Sequence, residues 1–400
     1  MTLTIENVTH LGLGRATDGT LVPRTLPGED VTLGADGLPR IVTPSPARVA
    51  APCRHFKSCG GCTMQHANDA FVAEWKAANV AKALSYQGLT PEIVGVETSP
   101  AQSRRRAKFS GRKTKSGALV GFHARGSDTI VAIPDCQLLS PALKETLPAL
   151  EALTQMAASR TAEIALTVTE SRAGADVSVE TERELTRELR ESLAVWAEKY
   201  NIARLVWSGE QVAQRHPPVQ KFGPADVVPP PGAFLQATPQ GEAALLAAVK
   251  NIIGTPKRVV DLFAGCGTFA LPLSTQCEVH AVEGEAAMVD ALHKGWRRVG
   301  GLSLVTIEAR DLFRRPLLPD ELKKYDAAVI DPPRAGAEAQ IAELAQSGIK
   351  KIAMVSCNPV TFARDAKTLI DAGYAMSPVT VVDQFRWSPH IELVAGFTRA

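Results

Sequence analysis

The sequence predicts an α/β protein with an open, mostly parallel sheet in its C-terminal part, an α+β middle segment and a small all-β module at the front. Three observations carry this reading. From Gly232 onward, β-rich apolar runs alternate with amphipathic helical stretches, the pattern of parallel strands joined by crossover helices. The first of those runs, 258–263, enters the turn Ala264-Gly265-Cys266-Gly267-Thr268-Phe269-Ala270, whose glycines let backbone approach a ligand closely, as in Rossmann-like sheets. Residues 1–45 instead alternate short β runs with Gly and Pro, which suits a small OB-like β-barrel.

A chain of 400 residues is long enough for two or three domains. We place them at 1–46 (barrel), 47–68 with 92–224 (central domain), and 69–91 with 225–400 (parallel-sheet domain). Apolar content of 45% and charged content of 22% are those of a globular protein. The net charge of +2 neither implies nor excludes nucleic acid, so local patches decide. The first residues lack the basic and apolar regions of a secretory signal, and no apolar run reaches membrane-spanning length. A cytoplasmic monomer without membrane association is expected. Three of the seven cysteines crowd between Cys53 and Cys62, which in such a chain points to metal rather than disulfides.

In chain order, Pro44-Ser45-Pro46 reads as a linker. Cys53, Cys59 and Cys62 then follow at spacings of five and two intervening residues. Gly60-Gly61 lets the flanking sulfurs converge, and Cys136 is the best fourth ligand; His55 or His66 is the alternative. Zinc and a [4Fe–4S] cluster both accept four thiolates, and spacing alone does not separate them. Residues 70–89 have helical periodicity, with Phe71, Trp75 and Leu84 among the apolar positions. Arg104-Arg105-Arg106 and Arg112-Lys113-Thr114-Lys115 form a basic stretch around Gly111, beside the strand-like run 118–122, either a hairpin facing phosphates or a solvated charged loop. Residues 162–168 and 203–207 read as strands between helices. Pro224 and Pro229-Pro230-Pro231 read as a linker.

Within the parallel sheet, chemistry-bearing residues recur at strand ends, where ligands collect in open α/β folds. Asp261 and Phe263 precede the glycine turn, and Glu283 ends the next strand, where a carboxylate can hold both ribose hydroxyls of a nucleoside. That pair is shared by dinucleotide and S-adenosylmethionine binders. Asp311 lies where an adenine amino group can be met, and 327–330 leads into Asp331-Pro332-Pro333-Arg334. Finally 352–355 stops at Ser356-Cys357. Asn358 is suited to cap a helix and Pro359 to open it. Cys357 thus sits at a helix N-terminus, which favours a thiolate and makes it a candidate nucleophile.

These motifs resemble the RNA uracil-5-methyltransferase family, which includes iron–sulfur 23S rRNA enzymes and tRNA enzymes. The resemblance rests on the Cys53/Cys59/Cys62 group with Gln65, Phe234-Leu235-Gln236, the stretch from Asp261 to Thr268, Asp331 to Gly336, Ser356 to Pro359, and His390-Ile391-Glu392. The first 35 residues resemble that family's TRAM barrel. The resemblance implies Cys357 as nucleophile and Glu392 as general base. It places Gln236, Phe263, Thr268, Glu283, Asp311 and Asp331 around S-adenosylmethionine. It also implies a [4Fe–4S] cluster on Cys53, Cys59, Cys62 and Cys136, and 23S rRNA ahead of tRNA as substrate. Phe385-Arg386-Trp387-Ser388-Pro389 departs from the family's usual Pro and Thr ahead of His-x-Glu. Phe263, Phe385 and Trp387 are the aromatics expected near an unstacked base. A non-catalytic cluster-bearing RNA-binding protein and a nicotinamide dehydrogenase are the rival classes. The latter leaves Asp331-Pro332-Pro333-Arg334 and Cys357-Asn358-Pro359 without a task.

Overall fold

The computed structural model describes residues 2–399, with sheets of five, seven and nine strands and one separate hairpin. The nine-stranded sheet positions the chemistry. Its main path runs Val305–Ala309, Glu278–Glu283, Arg258–Leu262, Ala327–Ile330, Lys351–Ser356, Glu392–Thr398, Val379–Asp383 and Ile93–Thr98, with Ala375–Met376 pairing onto Glu392–Thr398. The first five strands are parallel. Runs such as Ala327–Ile330 are buried throughout because helices cover both faces. Helix Pro239–Ile253 packs on one face; helices Asp69–Ser85 and Pro359–Asp371 pack together on the other.

Two features of this order build a site. The chain moves outward through Glu278–Glu283 and Val305–Ala309, then returns to the other side of Arg258–Leu262. The carboxyl ends of Arg258–Leu262 and Ala327–Ile330 therefore flank a topological switch point. Glu392–Thr398 then runs antiparallel between Lys351–Ser356 and Val379–Asp383. Its first residue consequently lies at the edge where the parallel strands finish.

The pairing moves two expected boundaries. Ile93–Thr98 is parallel to Val379–Asp383 and so belongs to the nine-stranded sheet, not to a 92–224 segment. The hairpin Gln220–Phe222 and Ala225–Val227 buries Phe222, Ala225 and Val227 in the core beneath that sheet, so the chain joins it before the proline run. The seven-stranded sheet takes Arg106–Lys113 through Glu210–Gln214. It includes Gly174–Glu180, a hairpin partner of Ile164–Ser171 that the sequence reading did not find.

The N-terminal region is a five-stranded antiparallel sheet in the order Leu21–Pro23, Leu13–Ala16, Thr2–Val8, Asp30–Leu33, Pro39–Thr43. A bulge between Ile5 and Asn7 lets Thr2–Val8 pair with one neighbour through its first half and another through its second. Among the described residues the ladder of this expected OB-like module ends in two edge strands, Leu21–Pro23 and Pro39–Thr43. No helix among the described residues is long and apolar enough to cross a membrane.

Candidate active site

Cys357 follows strand Lys351–Ser356 and precedes helix Pro359–Asp371. Asn358 is the N-cap, its side chain accepting from Val360 N–H at 3.1 Å, with Pro359 opening the helix. Ser356 pairs with Leu393 across the antiparallel ladder, which brings Glu392 beside Cys357 although 34 residues intervene in sequence. Asp331, at the end of the neighbouring strand, completes the group. Burial depresses the ionisation of all three, and neighbouring carboxyls add to it at Cys357 and Glu392. Burial, then the carboxyls of Glu392 and Asp331, push the Cys357 thiol up to about 11. Burial lifts Asp331 to about 7. Burial and the Asp331 charge lift Glu392 well above the usual carboxylate range, opposed by a hydrogen bond from Gln384.

The thiolate expected from the helix terminus is therefore absent from the free protein at neutral pH. A helix end contributes about 0.3–1 kcal/mol, whereas one pKa unit is about 1.4 kcal/mol, and burial beside two carboxyls outweighs the dipole.

At the switch point, Phe263 adopts φ 62°, a strained backbone for an aromatic residue, with its ring 5.4 Å from that of Phe313. Glu283 accepts from Gly265 N–H and Glu285 N–H, both at 2.9 Å, tying the second strand's tip to the glycine turn. Thr268 is half-buried within that turn, and Asp311 caps its own loop through Phe313 N–H at 3.0 Å. Asp261 is fully buried, and neither of its carboxyl oxygens has a partner in good geometry. Burial and the charges of Asp331 and Glu283 raise it well above its ordinary value, with the Ala270 N–H opposing. Five of the six residues expected around the cofactor thus lie on this switch-point edge.

The sixth, Gln236, reaches it from the entry segment: its Nε2 donates to Asp331 Oδ2 at 3.2 Å. The basic stretch explains how. Arg105 is buried, donates from Nε to Gln236 O at 3.1 Å, and pairs with Glu242. Arg106 holds Gly232 O, and Arg112 pairs with Glu163. The arginines expected on a phosphate-facing hairpin are thus largely committed to partners within the fold.

A second anchor lies behind Glu392. Lys76 is fully buried on helix Asp69–Ser85. Its Nζ meets Asp383 Oδ1 at 2.5 Å, His390 O at 2.8 Å and Phe385 O at 3.2 Å, spanning the loop ahead of Glu392. Burial pulls Lys76 below and lifts Asp383 above its ordinary value, each partner's charge opposing. Trp387, expected as a stacking platform, is instead buried at φ 61° against the cysteine region, where its carbonyl accepts from Thr63 N–H and Met64 N–H. Phe385 stays half-buried, edge-on to His390, with Arg104 5.6 Å from its ring.

Cys53, Cys59, Cys62 and Cys136 line one cavity with Phe56, Phe122, Ile133 and Leu138, and none is in a disulfide. Burial pushes Cys62 up to about 12 and raises Cys59 and Cys136, with repulsion among the sulfurs adding to it. His55 is bonded to Asp135 at 2.7 Å. His66, which burial pushes down to about 4, stacks on Phe56 outside the cavity. Among the described residues no three His, Cys, Asp or Glu side chains form a single-ion site.

Residues 231–398 match the family model described as tRNA (Uracil-5-)-methyltransferase. The chain is 32% identical to the 23S rRNA (uracil(1939)-C(5))-methyltransferase RlmD of Halomonas elongata, over 98% of this chain and 88% of that one. This chain belongs to the RNA uracil-5-methyltransferase family. It is 44% identical to a Rhizobium meliloti protein described as an uncharacterized RNA methyltransferase, over 96% of this chain and 95% of that one. The Pyrococcus abyssi tRNA (uracil-54, C5)-methyltransferase, solved with S-adenosyl-L-homocysteine, has the same fold at TM-score 0.78 and 22% identity, covering 100% of this chain and 99% of that one. The chain is accordingly an S-adenosylmethionine-dependent RNA uracil-5-methyltransferase.

In this methyltransferase the family-matched segment holds Gln236 through Glu392, while all four clustered cysteines lie outside it. Sequence reasoning missed three residues around the reaction group. Gln384 bears no motif signal. Arg105 was read with its basic neighbours as a surface. Lys76 did carry a signal: Val72, Lys76, Val80 and Leu84 are spaced by four along one buried helix face, and a lysine on such a stripe needs a buried partner.

Proposed function

We propose that this methyltransferase modifies C5 of a uridine in 23S rRNA through a covalent Cys357 adduct, with Glu392 as base. The observation that carries the reading is the meeting of Cys357, Glu392 and Asp331 at one sheet edge beside the glycine turn. S-adenosylmethionine supplies an electrophilic methyl group, and Gln236, Phe263, Thr268, Glu283, Asp311 and Asp331 are the residues to hold it. Uracil C5 is a weak nucleophile. Cys357 Sγ gives up its proton and adds to C6, and the C5=C6 electrons move toward the ring carbonyl, making C5 carbanion-like. After C5 has taken the methyl group, the Glu392 carboxylate removes the remaining C5 proton. The C5=C6 bond re-forms, the C6–S bond breaks and the thiolate leaves. The raised values of Cys357 and Glu392 are those of the free site. As the thiol gives up its proton, Asp331 is the adjacent group able to take it, which leaves the Glu392 carboxylate for the C5 proton.

The 32% identity to the 23S rRNA enzyme, across nearly the whole chain, favours rRNA. The tRNA description of the family model keeps a T-loop uridine as the second reading. Incubation with cofactor and RNA carrying 5-fluorouridine is the test. Fluorine at C5 cannot leave as a proton, so a denaturation-stable protein–RNA adduct through Cys357 is expected. No adduct with either rRNA or tRNA fragments would defeat the covalent reading.

The four-cysteine cavity fits a [4Fe–4S] cluster held by Cys53, Cys59, Cys62 and Cys136. Its donor set is all thiol, and the four cysteines line one largely apolar cavity. Its role is structural. It ties the Cys53–Cys62 loop, followed directly by Thr63 and Met64 whose N–H groups donate to Trp387 O, to the segment carrying Cys136. Protein purified without air is expected to show a broad visible absorbance that a Cys62→Ser variant lacks. A colourless protein containing zinc would be the contrary result.

A further inference from the structure

Strand Val305–Ala309 is one outer edge of the nine-stranded sheet, and the turn after it crosses the neighbouring strand ends. Arg310 N–H donates to Glu283 O at 2.9 Å, and the Asp311 Cα lies 3.8 Å from where a side chain on Gly284 would begin. The turn thus passes the tip of Glu278–Glu283 and reaches the tip of Arg258–Leu262. Its two apolar residues face opposite ways. Leu312 is buried in the core with Leu262 and Ile330, whereas Phe313 is 48% exposed. Exposure alone says little, since single apolar side chains are common on surfaces. The position of Phe313 says more. Its ring centroid is 5.4 Å from that of Phe263 with the planes at 57°, and its N–H donates to Asp311 Oδ1 at 3.0 Å. The N–H groups of Arg314 and Arg315 close the turn on Asp311 O at 3.2 and 2.9 Å. An outward-facing aromatic ring is therefore held between Phe263 and Asp311, the two residues assigned above to the cofactor that flank this turn.

We propose that Phe313 is a further cofactor-binding residue whose ring, set at an angle to Phe263, covers one face of the adenine of S-adenosylmethionine. The inference rests on the assignment of Phe263 and Asp311 to the cofactor and adds to it a residue that no motif marks. A purine has a polar edge and two flat apolar faces. Ligand sites meet such a group with a few placed polar atoms between apolar and aromatic walls. Asp311 supplies the polar atom for the amino edge, and Phe313, bonded to that same carboxylate through its N–H, supplies a wall. The target uracil is the less suited occupant. It must reach Cys357, which follows Lys351–Ser356, two strands beyond Arg258–Leu262 on the side away from this turn.

The test is calorimetric binding of S-adenosyl-L-homocysteine to the full chain, comparing wild type with Phe313→Ala and Phe313→Tyr. Loss of an aromatic face from a stacked base is expected to weaken binding to Phe313→Ala by about tenfold. Phe313→Tyr keeps the face and should bind within about threefold of wild type. The contact is made equally before and during methyl transfer, so Phe313→Ala should raise the cofactor KM far more than it lowers kcat. Because the ring is half-exposed, both cofactor-free variants should unfold within about 2 °C of wild type. Wild-type affinity in Phe313→Ala would overturn the proposal. So would a raised KM for RNA alone, which would assign the ring to the substrate. A marked fall in unfolding temperature, with both variants weakened alike, would assign it to packing and overturn it too. Phe263→Ala and Asp311→Ala test the reading beneath. If both bind S-adenosyl-L-homocysteine as wild type does, the cofactor assignment itself fails, whatever Phe313→Ala does.

Discussion

Cys357→Ser is expected to lower single-turnover methylation by on the order of 10^4-fold and to abolish the 5-fluorouridine adduct, with S-adenosylmethionine affinity unchanged. The serine hydroxyl is the poorer nucleophile and holds its proton more tightly. The surroundings make matters worse, since burial and the Glu392 and Asp331 carboxyls already push the thiol up to about 11. Cys357 lies at the open end of the ladder, half-buried, so the change of one atom leaves the strand and the Asn358 cap intact. Cofactor affinity by calorimetry and methyl incorporation under single-turnover conditions separate these effects. Residual turnover within tenfold of wild type would show that the reaction does not pass through the sulfur.

Lys76→Met is expected to destabilise the fold by about 3–5 kcal/mol, because it leaves Asp383 charged and unpaired in a fully buried position. The double variant Lys76→Met/Asp383→Leu should recover most of that loss, since a buried pair replaced by apolar side chains is often neutral. Its activity should not recover. Lys76 also holds the carbonyls of Phe385 and His390, and Asp383 accepts from Phe385 N–H at 3.1 Å, so the loop leading to Glu392 loses its anchors. Denaturant midpoints measured beside single-turnover rates distinguish the two contributions. Recovery of both stability and rate in the double variant would show that the loop needs no such anchor.

What could be read from the sequence follows the reach of local rules. Strand, cap and helix around Ser356-Cys357-Asn358-Pro359 were legible because each signal lies within a few residues of the next. The parallel strands were legible because they are short apolar runs ending in acids, and their ends do gather at the switch point. Glu392 was not legible from its own surroundings. Its position depends on one antiparallel strand entering between two others, and the resemblance alone pointed to it. Trp387 was misread for the opposite reason: an aromatic near the site in sequence is turned by its left-handed backbone into the core beside the cysteines. The partners of Arg105 and Arg106 were not legible, because charge density says nothing of buried acceptors such as Gln236 O and Gly232 O.

The insertion of Glu392–Thr398 between Lys351–Ser356 and Val379–Asp383 bears on the birth of the enzyme as well as its chemistry. Without that segment, Val379–Asp383 and its neighbour Ile93–Thr98 have no strand hydrogen-bonding them to the parallel strands and touch them only through helix Pro239–Ile253. A chain lacking that segment would leave the Lys351–Ser356 edge of the parallel sheet open, and an open strand edge is where edge-to-edge aggregation begins.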